Sequence, residues 1–380
     1  GSAQLLLRSD NELLWWSAGA LQTLALGLQA GAVGSAVPRL AYHQGHVLLS
    51  EPPAGLLLQF DLGGPLAPAV GAADGSEIWD LLSVGQVQYV AHADGTLTRL
   101  AGDQLSTHRV HDAGITDLAG TADILASASD DRSLALWRTS DMSTIWRTRG
   151  HEFLVNQLWL APDQSALWSS SSDGTLKRWR WPSLEAAETI DLRQLLDAPD
   201  LSLHAVWFST DQSEALVGTW NRSLVHLTRD GARWQAQRLP LDSGSGYRLL
   251  EIAGLDAVAL LGIQPARLWL WDRRTQRLAQ LPDFGLELYA LAPGSSAQRI
   301  MAGGNGALIE FELQRGADES LAARWRSVLN SALGTISAAD TADVARLWWL
   351  GNNRGQVRPF GFDALPEFPV DSQRLVYRDP

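Results

Sequence analysis

The chain is 380 residues long, which gives room for two average domains or one large all-β domain, and its 46% apolar content is enough for a sizeable core, so wholesale disorder is excluded. Acidic residues outnumber basic ones, 42 to 30, and the basic residues form no clusters; this excludes a general nucleic-acid or anionic-membrane binder and leaves proteins, including ones with a basic surface, as the expected partners. Cysteine is absent, which removes disulfides, thiolate metal sites and cysteine nucleophiles.

Gly1-Ser2 reads as a cloning remnant, so a cleaved leader stays open. The cytoplasm is the expected location, with the periplasm as the alternative if a signal peptide was removed. Leu13 to Val37 carries no charge, but four glycines and several Gln, Ser and Thr dilute it below what a spanning helix needs. It reads as strands with a Gly-rich loop, and no membrane insertion is expected. From there a pattern repeats: a turn residue followed six positions later by an aromatic residue or Leu. Asp94 to Leu100, Asp131 to Trp137, Asp173 to Trp179, Asn221 to Leu227 and Asn305 to Phe311 fit it well. Asp10 to Trp16, Ala54 to Phe60, Pro265 to Trp271 and Arg354 to Phe360 fit it loosely. The turn positions recur every 37 to 49 residues. A period near 43 with about four short strands per unit is the signature of propeller blades. The one helical stretch, Ile190 to Ala198, is amphipathic for about two turns and reads as an insertion between blades.

The most regular stretch runs from His151 to Trp181. It holds an apolar run (Leu154 to Leu160), a turn at Pro162-Asp163, a second run to Ser171, the tight Asp173-Gly174 reversal and a third run ending in two tryptophans. With His111, Asp131 and Trp137 one unit earlier, it resembles the WD-repeat family, most clearly over residues 111–181. The resemblance implies that His151, Ser169 or Ser171, Asp173 and Trp179 form a structural hydrogen-bond network, as do His111, Asp131 and Trp137. The expected fold is all-β: one closed propeller of four-stranded antiparallel blades spanning 1–380. Units are expected near 36–72, 76–111, 112–150, 151–193, 202–240, 247–283 and 286–330. An eighth would join 335–380 to 3–28, so that the two termini close the ring; seven and nine blades are the alternative counts.

No phosphate loop, nucleophile elbow or paired-histidine motif appears, so no catalytic, metal or cofactor-binding residue is assigned and no cofactor is expected. The resemblance implies instead a non-catalytic scaffold that docks a partner protein or peptide on one loop face. Transferred position by position, the partner-binding candidates are Asp130, Ser172 and Trp220 just before the turns. Trp79, Phe153, Asn156, His204, Arg248 and Glu287 are the candidates near the starts of first strands. Trp220 is singled out, because a large apolar ring at a loop tip suits an interface. Two rival readings stand beside this one. Asp141 to Trp146 and Asp230 to Trp234 faintly resemble the repeats of eight-bladed periplasmic propellers of the quinoprotein or outer-membrane-assembly-lipoprotein type. A lactonase-like hydrolase with a metal in the channel is the weaker rival.

Overall fold

The computed structural model describes residues 76–362, apart from 103, 240, 242–246, 253, 264–265, 282–286, 330–334, 343–346 and 354–355; it also describes the strands within 4–62 and residues 373–378. Consecutive strands of alternating pattern pair with their sequence neighbours, so the chain lays down one antiparallel meander after another. Seven of these sheets are blades: 78–109, 115–148, 155–191, 203–239, 247–280, 288–329 and 336–361, called blades 1 to 7 below. Their first strands are Ile78–Val84, Ile115–Gly120, Val155–Leu160, Leu203–Phe208, Tyr247–Ile252, Leu288–Pro293 and Ile336–Ala342. Each of these lies beside the first strand of the next blade, and that of blade 7 lies beside that of blade 1. The propeller therefore has seven blades.

A sheet that buries both faces needs apolar residues on both, and here each seam between blades has its own core. Trp168, Phe208 and Trp234 fill the seam between blades 3 and 4, and Trp207, Trp269 and Trp271 the next one. Trp348 and Phe360 pack with Met301 between blades 6 and 7. The last seam, between blades 7 and 1, is the smallest, with Ile78, Leu81, Val90, Ala338 and Val357 buried in it. Gly351 keeps it tight: a Cβ there would come within 2.7 Å of the Ile78 side chain. Polar bonds reinforce the seam, as Ser337 Oγ donates to the Ile78 carbonyl at 2.6 Å and Asp340 accepts the Ser83 amide.

These seams correct the expected eight blades. The strands Arg39–His43, His46–Glu51 and Leu56–Leu62 do form a hairpin unit, but it takes no place in the ring. Leu56–Leu62 pairs in parallel with Leu321–Leu329, the outermost strand of blade 6. Gln4–Arg8, Glu12–Ser17 and Ala20–Ala25 form a separate three-stranded sheet and contribute no strand to blade 7, which has three strands among the described residues. The expected joining of 335–380 to 3–28 is therefore not made. Val376–Arg378 instead adds a fifth strand to blade 5, and Gln373–Arg374 pairs with the outer strand of blade 6. The physical reason is that blade 7 already buries an apolar face against blade 1, which leaves no wedge for an eighth sheet. Where a helix was expected over Ile190 to Ala198 there is a single turn, Leu192–Leu195, capped by the Asp191 carboxylate on the Gln194 amide. No helix among the described residues is long and apolar enough to cross a membrane.

Candidate functional site

The first strands begin alike. In six blades the register slips after the first residue, leaving the second residue unpaired as a β-bulge. A bulge re-aims the extra side chain, and here it turns toward the axis of the ring. Trp79, Thr116, Asn156, His204, Tyr289 and Ser337 occupy these positions, and Arg248 holds the equivalent place in the regular strand of blade 5. All seven line one cavity of about 880 Å³, together with loop residues that include Glu77, Asp130, Leu154, Trp220 and Asn305.

Hydrogen bonding sorts these seven by task. Thr116 Oγ1 donates to the Val155 carbonyl at 2.6 Å, and Asn156 Nδ2 to that of Leu203 at 2.7 Å. With Ser337 on Ile78, each reaches the first residue of the next blade's inner strand and satisfies a carbonyl at an exposed sheet edge. One residue further along, side chains serve the amides. Leu118 N donates to Asp80, Leu158 N to Asp117 and Val206 N to Gln157, all within 2.8 Å. Arg248 crosses the channel: its Nε donates to the Tyr289 carbonyl at 2.8 Å and its Nη2 to those of Trp79 and Ser337 at 3.2 Å. Burial pushes the carboxyls of Asp80 and Asp117 up, and Arg248 opposes that shift in both. The floor of the cavity is thus a closed polar assembly.

The walls and rim are more open. Trp79 lies against blade 2, where a Cβ on Gly114 would come within 2.1 Å of the indole. The amide of Asp130 donates to the Gly114 carbonyl at 3.0 Å, so Trp79 and Asp130 meet the same glycine and line the same cavity. Across the mouth, the His204 and Trp220 rings meet edge-on at 4.4 Å. Tyr289 donates its hydroxyl to Glu287 at 2.9 Å; burial and the neighbouring carboxylate push the phenol up to about 12. Trp220 is 43% exposed, and Phe153 and Leu154 on blade 3 are 50% and 38% exposed.

Of the nine partner-binding candidates from sequence, Asp130, Trp220, Trp79, Asn156, His204 and Arg248 line the cavity. Ser172, Phe153 and Glu287 do not line it. Ser172 accepts from Asn156 Nδ2 at 2.9 Å, Arg132 stands 5.8 Å over the Phe153 ring, and Glu287 accepts from Tyr289 and Asn305. Sequence reasoning passed over Thr116, Tyr289, Ser337 and Asn305. Their shared signal is position, since three of them are second residues of inner strands. Among the described residues, no three His, Asp or Glu side chains are grouped to hold a metal ion.

The network residues lie inside blades 2 and 3, and their Asp131 and Asp173 are next in sequence to the rim position Asp130 and to Ser172. Trp179 Nε1 donates to Ser169 Oγ (2.9 Å), Ser169 donates to His151 Nε2 (2.7 Å), and His151 Nδ1 donates to Asp173 (2.9 Å). Only this direction satisfies every donor, and it requires a neutral imidazole. Burial lowers the pKa of His151 accordingly, more than Asp173 raises it. Ser171 has a different job from Ser169, accepting the Asp173 amide at 3.1 Å. In blade 2, His111, Ser127, Asp131 and Trp137 repeat the arrangement, with Arg147 adding a 2.7 Å ion pair to Asp131.

No protein-family model matches the sequence, and no curated protein sequence matches it. Solved structures share its fold at low identity. The structure of U3-55K aligns with a TM-score of 0.63 at 12% identity, covering 78% of this chain and all of that one. The WD40 repeats of RRP9 align at 0.62 and 12% identity, over 77% of this chain and 96% of that one. The Cps50 (Swd1) β-propeller domain of Myceliophteria thermophila aligns at 0.59 and 14% identity, over 78% of this chain and 99% of that one. The fold is that of WD40 propellers.

Proposed function

We propose that this chain is a non-catalytic interaction platform that docks a partner protein or peptide at the cavity mouth formed by the first-strand starts and the loops around them. One observation carries the reading. Seven inner-strand side chains converge on one cavity, whose floor is hydrogen-bonded shut while Trp79, Trp220 and Leu154 remain on its walls. Aromatic side chains at the mouth of a rigid ring offer large contact areas with little ordering cost on binding. The WD40-type fold of the solved neighbours agrees with such a role.

The test places a photo-cross-linking residue at Trp220, and separately at Asp163 in the turn at the opposite end of the blade 3 strands. A partner in host lysate should cross-link at position 220 and not at 163. Trp220→Ala should leave the unfolding midpoint close to wild type and abolish retention of that partner. Equal cross-linking from both ends, or retention unchanged by Trp220→Ala, would refute the placement.

A further inference from the structure

Once the side chains already engaged in bonding are set aside, one charge on the cavity wall is left without a partner. Asp130 accepts no hydrogen bond and makes no ion pair among the described residues, although it is half-buried. Burial and the neighbouring Asp131 push its pKa up. The arginines around it are committed elsewhere. Arg147 pairs with Asp131, Arg132 stands over Phe153, and Arg248 is held by three carbonyls on the floor. A half-buried carboxylate without a counter-ion is costly, and an incoming cation offsets that cost. The surroundings favour one kind of cation. The Trp79 indole packs on Gly114, whose carbonyl takes the Asp130 amide, and lines the cavity with Asp130; its Nε1 donates to Glu77 at 3.4 Å, adding a second carboxylate at the edge of the ring. An indole face flanked by carboxylates holds an alkyl-ammonium or guanidinium group through cation–π attraction and charge pairing together. Phe153, Leu154 and Trp220, the large exposed apolar side chains of blades 3 and 4 on this side, continue the rim beyond it. A net charge of −12 favours approach of a basic segment over an acidic one.

We propose that the occupant of the mouth is a basic segment of a partner polypeptide, one Lys or Arg side chain of which lies on the Trp79 indole and pairs with the Asp130 carboxylate. This rests on the platform reading and names the chemistry of its partner. It is tested on the full chain with small probes, following the Trp79 indole N–H resonance, assigned through Trp79→Phe. N-acetyl-arginine amide and N-acetyl-lysine amide should shift that resonance saturably, at least fivefold more tightly than N-acetyl-norleucine amide or N-acetyl-glutamate amide. Raising the salt concentration should weaken the shift. Asp130→Asn, nearly isosteric and checked by its unfolding midpoint, should weaken the arginine probe about fivefold to tenfold, and Asp130→Glu should restore part of the loss. Equal binding of norleucine and arginine probes, no saturable shift with either cation, or an unchanged affinity in Asp130→Asn would each overturn the proposal. Cross-linking at position 220 without any cation preference would leave the platform standing and remove only this inference. Cation binding without cross-linking at position 220 would refute the platform placement and, with it, the partner segment, leaving only a cation site on the Trp79 indole.

Discussion

Removal of the Asp173 carboxylate gives the most direct test of how the blades are held. That carboxylate accepts the His151 Nδ1–H at 2.9 Å, the Glu152 amide at 3.0 Å, and both the amide and the hydroxyl of Thr175 at 2.9 and 2.6 Å. In Asp173→Ala all four donors lose their acceptor. The Thr175 hydroxyl can rotate to water, but the His151 ring is fully buried and cannot. An unsatisfied buried donor costs about 1–3 kcal/mol, and the two amides near the surface recover much of theirs through hydration, so a loss of about 2–4 kcal/mol is expected. Asp173→Asn should cost about half as much, since its amide oxygen still serves Thr175 while its NH2 faces the His151 donor. Urea unfolding followed by tryptophan fluorescence measures this as a fall in midpoint at constant slope. A double-mutant cycle with His151→Ala should show coupling of about 1 kcal/mol or more. Asp163→Ala, at an exposed turn, should leave the unfolding midpoint close to wild type. If Asp173→Ala matched Asp163→Ala, or if the cycle showed no coupling, the network would not be holding the blade.

Arg248→Met should destabilise by about 3–5 kcal/mol, chiefly because it orphans three carbonyls, and it also removes the cation that opposes the upward shift of Asp80 and Asp117. Unfolding midpoints measure this, and Asp80→Asn in the same background should recover part of the loss. Asp340 gives a pH signature. Burial, only partly opposed by the Ser83 and Thr341 amides, raises its pKa from 3.8 to about 7. The folded state then holds a proton that the unfolded state releases, so its contribution to stability is full below about pH 3.8 and is lost as pH rises through 7. Relative to Asp340→Asn, the wild type should lose up to about 4 kcal/mol between pH 4 and pH 8. A difference between the two proteins that is flat with pH would refute the assignment.

The parts of this protein legible in the sequence are those closed within one blade. His151, Ser169, Asp173 and Trp179 are joined through pairings inside a single sheet, where Leu167 sits opposite Trp179 and Ser169 opposite Lys177. Local spacing therefore carries the network, and the same holds for His111, Asp131 and Trp137. The tryptophans two apart on one strand, Trp269 and Trp271, are both buried in the seam between blades 4 and 5, as alternation along a strand requires. The candidate site was partly legible. Trp79, Asn156, His204 and Arg248 stand out as polar or aromatic residues at strand starts, whereas Thr116 and Ser337 look like any strand residue until the bulge turns them inward.

Sequence by itself determined the all-β repeat, the turns and the bonds within a blade, because each depends on residues a few tens of positions apart. The number of blades was decided by tertiary structure. A period near 43 marks every hairpin unit along the chain, but only the seam between Ile78 and Gly351 shows that the ring is complete at seven, with the units of 4–25 and 39–62 outside it. The floor of the cavity was decided in the same way. Arg248 meets a carbonyl 169 positions away because the two lie on opposite sides of a closed ring, where the need to satisfy buried charges and sheet-edge carbonyls brings them together.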